Sequence, residues 1–320
     1  MLGSLQEQTN LEPLGRGFIR RLVPSYSQRS NTVHVTDVSD RGVLFTFGDP
    51  YIGNVYAIVS ESSLFICDTF CGPDPMREVM TRLSKNYDLP ARVVIFNSHA
   101  DYDHIWGNCY FEGQLIIGHE LCRERVITEW NEVLEKNQEH QRGNVIRLPP
   151  NVTFQERLDF AEEDVEFFHT PGHTRDSASC FDKRDNILFV GDNIESPIPY
   201  INQMNIREYK ATLASYLHSD AELILSGHDS PQEDMDLVRG NLEYVTEFGR
   251  WTVDMDSLND RARQVHLTNA IRVVGDIVQG EITAEARLHY KSVKEVLQSM
   301  EKTDFVREAL HKIEDIIKES

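Results

Sequence analysis

The chain has 320 residues, of which 40% are hydrophobic and 26% charged, and it carries a formal net charge of −20. That length accommodates one large α/β domain with an appendage, or two domains of ordinary size, and no apolar run approaches the roughly eighteen residues that would span a bilayer. So acidic a chain disfavours a long nucleic-acid substrate, because affinity for a phosphate backbone comes mainly from Lys and Arg displacing counterions.

In chain order, residues 1–32 read as an N-terminal extension made locally basic by Arg16, Arg20, Arg21 and Arg29, and expected to be a solvated arm. The start of the chain lacks the continuous apolar core of a secretory signal, so the expected location is cytoplasmic. The runs VHVTDV (33–38), VLFTFG (43–48), NVYAIVS (54–60) and SLFICDT (63–69) are separated by Gly, Asp, Pro and Ser, which predicts antiparallel strands joined by hairpins. Pro75 opens a helix in which Met76, Val79, Met80 and Leu83 recur at three-to-four spacing. ARVVIF then reads as a buried strand and QLIIG (114–118) as another, with a long polar helix over residues 120–141. Strand, helix and strand in succession predict a mixed sheet with helices packed on it.

The second half repeats the theme with VEFFH (165–169), SASCFD (177–182), NILFVGD (186–192), the helix NIREYKATLASYLHS and the strand AELILSG (221–227). Beyond Pro231 the pattern turns helical, clearest in the stripe of Val306, Leu310, Ile313 and Ile317. Cys67, Cys71, Cys109, Cys122 and Cys180 are odd in number and irregularly spaced, which suits reduced buried thiols better than a disulfide framework.

Four segments share one design: VVIFNSHADYDH, VEFFHTPGH, ILFVGD and LILSGH each run a buried strand into His or Asp. Functional groups collect beyond strand ends in α/β sheets, where loops carry them on a rigid frame. The four ends could bring together His99, Asp101, Asp103, His104, His173, Asp192 and His228. Asp101 and Asp103 lie two residues apart, and their charges repel at close range unless a cation lies between them. Gly172, Gly191 and Gly227 adjoin three of the candidates, as tight turns beside a site require.

In these residues the chain resembles the metallo-β-lactamase superfamily, whose members carry H-x-H-x-D-H after a strand, then a His in P-G-H-T, an Asp in G-D and a His in G-H. Here the matching pieces are His99-x-Asp101-x-Asp103-His104, Pro171-Gly172-His173-Thr174, Gly191-Asp192 and Ser226-Gly227-His228, and the resemblance spans about residues 33–230. It implies an α/β fold, an αββα sandwich of two mixed β-sheets flanked by helices, with a C-terminal helical region over residues 231–320. It also implies two divalent metal ions, one held by His99, Asp101 and His173, the other by Asp103, His104 and His228, with Asp192 bridging them. In the family a hydroxide between the metals is the nucleophile, an aspartate at the place of Asp103 helps orient it, and an aspartate at the place of Asp68 bonds a ligand histidine from behind. The departure from the family pattern is Asp101, a carboxylate where an imidazole is usual. It should move metal preference toward Fe or Mn without excluding Zn, and leave a coordinated water less acidic.

The function expected first is a metal-dependent hydrolase using a metal-bound hydroxide on a small acyl substrate: an ester, thioester, lactone or amide. The alternatives are a phosphodiesterase on a small phosphorylated molecule, a diiron oxidoreductase with a separate electron donor, and a non-catalytic metal-binding sensor. The oxidoreductase reading follows from Asp101, because the flavodiiron branch has a Glu there. The expected partner is a small-molecule substrate, with neither nucleic acid nor membrane. The C-terminal helices either cap the cleft or form a homodimer interface. His119 and His169 are read as hydrogen-bonded structural residues, and His34, His140, His218, His266, His289 and His311 as surface groups. Ile105 and Trp106 read as core anchors, and Tyr200, Tyr209 and Tyr216 as packed phenols, with oxyanion stabilisation the alternative. No P-loop, G-x-G-x-x-G or G-x-S-x-G is present.

Overall fold

Alternation of apolar side chains along the central strands decides the architecture, which a computed structural model describes for residues 33–278, 282–299 and 304–318. The predicted basic arm over residues 1–32 lies outside the described residues. Strands β1 (His34–Asp37), β2 (Gly42–Phe47), β3 (Gly53–Val59) and β4 (Ser63–Cys67) pair antiparallel. Helix α1 (Pro73–Asn86) then crosses over to β5 (Arg92–Asn97), and β6 (Leu115–His119) and β7 (Val152–Phe154) complete the parallel half of one seven-stranded sheet. Between β5 and β6 lie the one-turn α2 (Tyr102–Ile105) and a 3-10 stretch, Trp106–Phe111; between β6 and β7 lie α3 (Glu120–Thr128) and α4 (Trp130–Lys136).

The second sheet has the order β12-β11-β10-β9-β8. Its strands are β8 (Arg157–Phe160), β9 (Val165–His169), β10 (Ala178–Asp182), β11 (Ile187–Phe189) and, after α5 (Ile206–Leu217), β12 (Leu223–Leu225). Only β11 and β12 pair parallel in it. Even-numbered residues of β2 and β3 such as Leu44, Tyr56 and Ile58 meet Phe167, Cys180 and Phe189 between the sheets, while Val43, Phe45 and Val55 face Met76, Val79 and Leu83 of α1. Both faces of β2–β5 are therefore buried, as the sequence predicted for β5. Phe96 of β5 stacks on Phe167 of β9 across the sandwich, ring centroids 4.4 Å apart, worth about 0.5–1.5 kcal/mol beyond the area buried. That contact clamps together two strands whose ends carry candidate ligands.

After β12 the described chain is helical: α6 (Asp236–Arg250), α7 (Asp260–Arg272), α8 (Val274–Val278), α9 (Ala284–Ser299) and α10 (Asp304–Lys318). Val238, Val245, Ala270, Tyr290, Val293 and Ile313 share one core with Leu188, Val190 and Leu213, so these helices pack on the outer face of the second sheet and on α5. Leu310, Ile313 and Ile317 of the predicted stripe pack into that core.

The two-sheet architecture with flanking helices agrees with the expected αββα sandwich. Locally, two expectations are corrected and two short strands are added. The helix predicted over residues 120–141 breaks at Glu129, a bend that seats Trp130 with Val126, Trp106 and Val145 in a core of their own. Strands β7 and β8, three and four residues long, carry too little alternation to have been read. His266 and His289 are not surface groups: they are 0% and 6% exposed. Each sits on the buried side of its helix, His266 with Val265 and Ala270 of α7 and His289 with Tyr290 and Val293 of α9.

The imidazoles of His266 and His289 meet edge to face, centroids 5.1 Å apart, and each Nε2 is buried with no hydrogen-bond partner. Burial, reinforced by His289, pushes His266 down to about 3, and burial pushes His289 down to about 4. The unfolded chain thus takes up these protons first, so the contribution to stability is full above about pH 6.5 and is lost as pH falls toward 4. Denaturant unfolding at pH 7.5 and 5.0 should show a larger acid loss in the wild type than in His289→Phe, by on the order of 2 kcal/mol. Equal losses in the two proteins would show that His289 does not couple protonation to folding.

Candidate metal centre

All seven residues singled out in the sequence meet at one end of the sandwich, where strands of both sheets terminate. The turn after β5 brings His99, Asp101, Asp103 and His104, that after β9 brings His173, that after β11 brings Asp192, and that after β12 brings His228. Backbone hydrogen bonds tie these turns to each other: Ala178 N–H to the Ser98 carbonyl at 2.8 Å, Gly227 N–H to the Gly191 carbonyl at 2.8 Å, and Asn54 N–H to the Gly227 carbonyl at 2.8 Å. Two glycines are obligatory here. Gly191 has φ +54°, and a Cβ on it would fall 2.6 Å from Ser98 Oγ; a Cβ on Gly227 would fall 2.2 Å from Asp192 Oδ1 and 2.8 Å from His104 Cε1.

Asp192 Oδ2 is the hub. It lies 3.3 Å from His104 Nε2, 3.3 Å from His228 Nε2, 3.8 Å from His99 Nε2 and 4.0 Å from His173 Nε2. On one side Asp101 Oδ2 is 3.6 Å from His99 Nε2 and 3.4 Å from His173 Nε2; on the other Asp103 Oδ2 is 3.4 Å from His228 Nε2 and 3.8 Å from His104 Nε2. Three groups of donors result, each with its atoms mutually within 4.8 Å: His99, Asp101 and His173; Asp103, His104 and His228; and His99, His104 and Asp192 between them.

Hydrogen bonding on the far side of each ring settles which nitrogen carries its proton. His173 Nδ1 donates to the Tyr200 carbonyl at 3.1 Å and His228 Nδ1 to the Ile52 carbonyl at 2.6 Å. His104 Nδ1 donates to Asp68 Oδ2 at 2.7 Å. Ser98 Oγ spends its one proton on Asp68 Oδ2 at 2.7 Å, so at the 2.9 Å contact with His99 it is Nδ1 that donates. Asp68, buried in a left-handed conformation at φ 61°, thus orients His104 directly and His99 through Ser98. All four imidazoles present an Nε2 lone pair toward carboxylates.

Lone pairs facing carboxylates repel unless positive charge lies between them. Burial opposes charge on His104 and His228, yet the surrounding carboxylates, Asp192 foremost, hold both well above the ordinary imidazole value. Burial likewise opposes ionisation of Asp192 and Asp101, but their imidazole neighbours hold both well below the usual carboxylate range. A proton shared in a charge-assisted bond would draw N and O to about 2.7–2.9 Å. The observed 3.3–4.0 Å separations are nearer the ligand-to-ligand edge of about 3.3 Å around a tetrahedral ion with bonds of about 2.0–2.1 Å. His99 Nε2, His104 Nε2 and Asp192 Oδ1 are moreover buried without a hydrogen-bond partner. The donor set fits divalent cations of the zinc, iron or manganese type.

Several residues at the site left no trace in the pattern of the sequence. Ser98 relays Asp68 to His99, and its place beside His99 was the one available hint. Asn202 brings its side-chain amide to 3.0 Å from His173 Nε2, held by Arg272 from α7 on its other end. Glu195 lies buried 4.0 Å from His173 Nδ1, and burial, with Asp192 adding to it, pushes its carboxyl up to about 8. The C-terminal helices enter the site through this loop: Asn269 binds Pro199 O and Ile201 N, and Asn241 of α6 binds both backbone groups of Glu195.

Ile105 and Trp106 are buried core residues, as expected. His119 and His169 stack 3.8 Å apart with their Nε2 atoms on the Gln155 and Arg175 carbonyls, and so are structural. Tyr209 and Tyr216 are buried, their hydroxyls engaged with Asn193, while Tyr200 offers its carbonyl to His173 and its ring to Arg272. Cys67, Cys71, Cys122 and Cys180 are buried free thiols.

Residues 48–228, more than half of the chain, match the profile of the metallo-beta-lactamase superfamily, and the chain belongs to that family. No curated protein matches the sequence. Among solved structures, VMB-1 aligns with a TM-score of 0.53 at 14% identity, covering 68% of this chain and 98% of that one. A metallo-beta-lactamase from Pontibacter korlensis aligns at 0.52 and 17%, covering 67% and 99%, and DIM-1 metallo-beta-lactamase at 0.53 and 16%, covering 67% and 97%. At these identities the likeness is one of fold. Family membership supports a metal-dependent hydrolase-type function.

Two substitutions probe the geometry. Gly227→Ala should fold yet bind divalent metal at least about tenfold more weakly, because the new methyl displaces Asp192. Asp68→Asn should weaken metal binding by about 10–100-fold by loosening His104 and His99 together. Isothermal titration with Zn(II) measures both, and wild-type affinity in either variant would separate that residue from the centre.

Proposed function

We propose that the protein is a dinuclear metal-dependent hydrolase of a small acyl compound, an ester, thioester, lactone or amide. What carries this reading is the set of four Nε2 lone pairs aimed at three carboxylates. His99, Asp101 and His173 would hold one divalent ion, Asp103, His104 and His228 a second, and Asp192 both. A pair of such ions supplies a nucleophile at neutral pH, polarises the substrate carbonyl and takes up charge on the leaving group.

The chain's own groups divide the remaining work. Asp103, its Oδ2 3.4 Å from His228 Nε2, would orient the attacking oxygen. The amide of Asn202, beside His173, offers an N–H to a substrate oxygen at the mouth of the site. Asp68 and Ser98 keep the rings of His104 and His99 from turning. Residues 194–205, gripped by α6 and α7, bring Tyr200 and Asn202 to His173, so substrate size would be set by a segment that the C-terminal helices hold in place.

A panel of chromogenic esters, thioesters, lactones, amides and bis-phosphodiesters, assayed with Zn-, Mn- and Fe-loaded protein, should give metal-dependent turnover of an acyl substrate, with about two metals per chain by elemental analysis. Asp103→Ala and His173→Ala should each lower that turnover at least about a hundredfold. Turnover confined to the phosphodiesters would replace the acyl reading, and oxygen uptake with a reducing partner and no hydrolysis would overturn hydrolysis altogether.

A further inference from the structure

Asp101 brings a third carboxylate to a centre that already holds Asp103 and Asp192, and the fold meets it with a cation from outside the ligand set. Arg125 of α3 donates through Nη2 to Asp101 Oδ1 at 3.0 Å and through Nη1 to Asp176 Oδ1 at 2.6 Å. Asp176 is 0% exposed, and its other oxygen accepts the Ala100 N–H at 2.8 Å. Guanidinium, carboxylate and peptide thus close a bracket behind the turn that carries His99 and Asp101. Arg125 also reaches Glu129 at the end of its own helix, at 3.3 Å on the exposed side. With Oδ1 of Asp101 taken by the fork, Oδ2 alone faces His99 Nε2 at 3.6 Å and His173 Nε2 at 3.4 Å.

We propose that Arg125 is a positioning residue that makes Asp101 serve as an imidazole would, offering a metal one donor atom with its charge partly offset. A free carboxylate can chelate through both oxygens and, as a hard anionic donor, favours Mn(II) or Fe(II) over Zn(II). One whose second oxygen is bound to a guanidinium is held to a single donor, and because Arg125 is shared with Asp176 its charge offsets that of Asp101 only in part. The preference for Fe or Mn expected from Asp101 in isolation is thereby offset in part. Arginine alone suits this position, because its planar fork spans two carboxylates at fixed geometry where a lysine ammonium is a single point charge. The inference rests on the metal-centre reading above, and its test separates the two.

Competition between Zn(II) and Mn(II) for the chelator-stripped full chain, followed with a chromophoric chelator, tests it on five proteins. Wild type should favour zinc. Arg125→Gln should shift the Zn-to-Mn affinity ratio toward manganese by about tenfold, and Arg125→Gln/Asp176→Asn, which leaves no unpaired buried carboxylate, should shift it equally. Asp101→His should weaken binding of both metals by about tenfold or more, because the site loses one negative charge while the guanidinium, still paired with Asp176, stays beside the ion. Asp101→His/Arg125→Gln should restore zinc affinity to within about threefold of wild type. A merely structural Arg125 would change the melting temperature and leave the ratio within about twofold in both Arg125 variants that keep Asp101, and that result overturns the proposal while the metal reading stands. Wild type that binds neither metal overturns both.

Discussion

Four imidazoles with their protons turned outward and three carboxylates turned inward occupy one end of this sandwich, and most of what surrounds them keeps that arrangement in place. Desolvated groups of this kind repel at short range, since a buried carboxylate facing a lone pair has lost the water that would have screened it. Such a cluster is tolerable only if positive charge completes it. The same demand explains the buffer of outer contacts: every Nδ1 is bound to a carbonyl, a hydroxyl or Asp68, so no ring can rotate to relieve the crowding.

The fold is suited to carry that burden. Ligands leave from strand ends in both sheets, and the sheets are locked by buried aromatic stacking and by backbone bonds from turn to turn, so the seven groups keep their separations although they come from four distant segments. The C-terminal helices do more than lengthen the chain. They share a core with the second sheet and α5, and their asparagines and Arg272 hold the loop after Asp192 against the site. The apolar stripe of α10 finds its cover within the same chain.

On the proposed reading, Arg125 and Asp176 absorb the change at one candidate ligand. A carboxylate in place of an imidazole alters charge, hardness and denticity together. A guanidinium on its outer oxygen reverses all three in part, and ties the ligand turn to α3 as it does so. From Asp101 alone, metal preference points to iron or manganese; with Arg125 beside it, zinc regains ground.

Most of the strands and the seven converging residues were legible in the chain itself, because runs such as Val93–Phe96 and Leu64–Cys67 are long, apolar and followed at once by groups that ionise or bind metal, while the sandwich was implied by the family resemblance those residues carry. Order along the chain was enough there: a strand that is buried on both faces, ending in His or Asp, carries its own meaning. What needed the folded molecule were contacts between residues that no local pattern relates. Arg125 reaches Asp101 and Asp176 only because α3 packs behind the ligand turn, and Asn202 meets His173 only because α7 holds its loop. His266 and His289, polar by neighbourhood in the sequence, are buried because helix rotation turns one side of each helix inward. Periodicity reports which face of an element is apolar, whereas the partner that covers that face, and the charge that balances a buried one, are decided by packing between segments far apart in the chain.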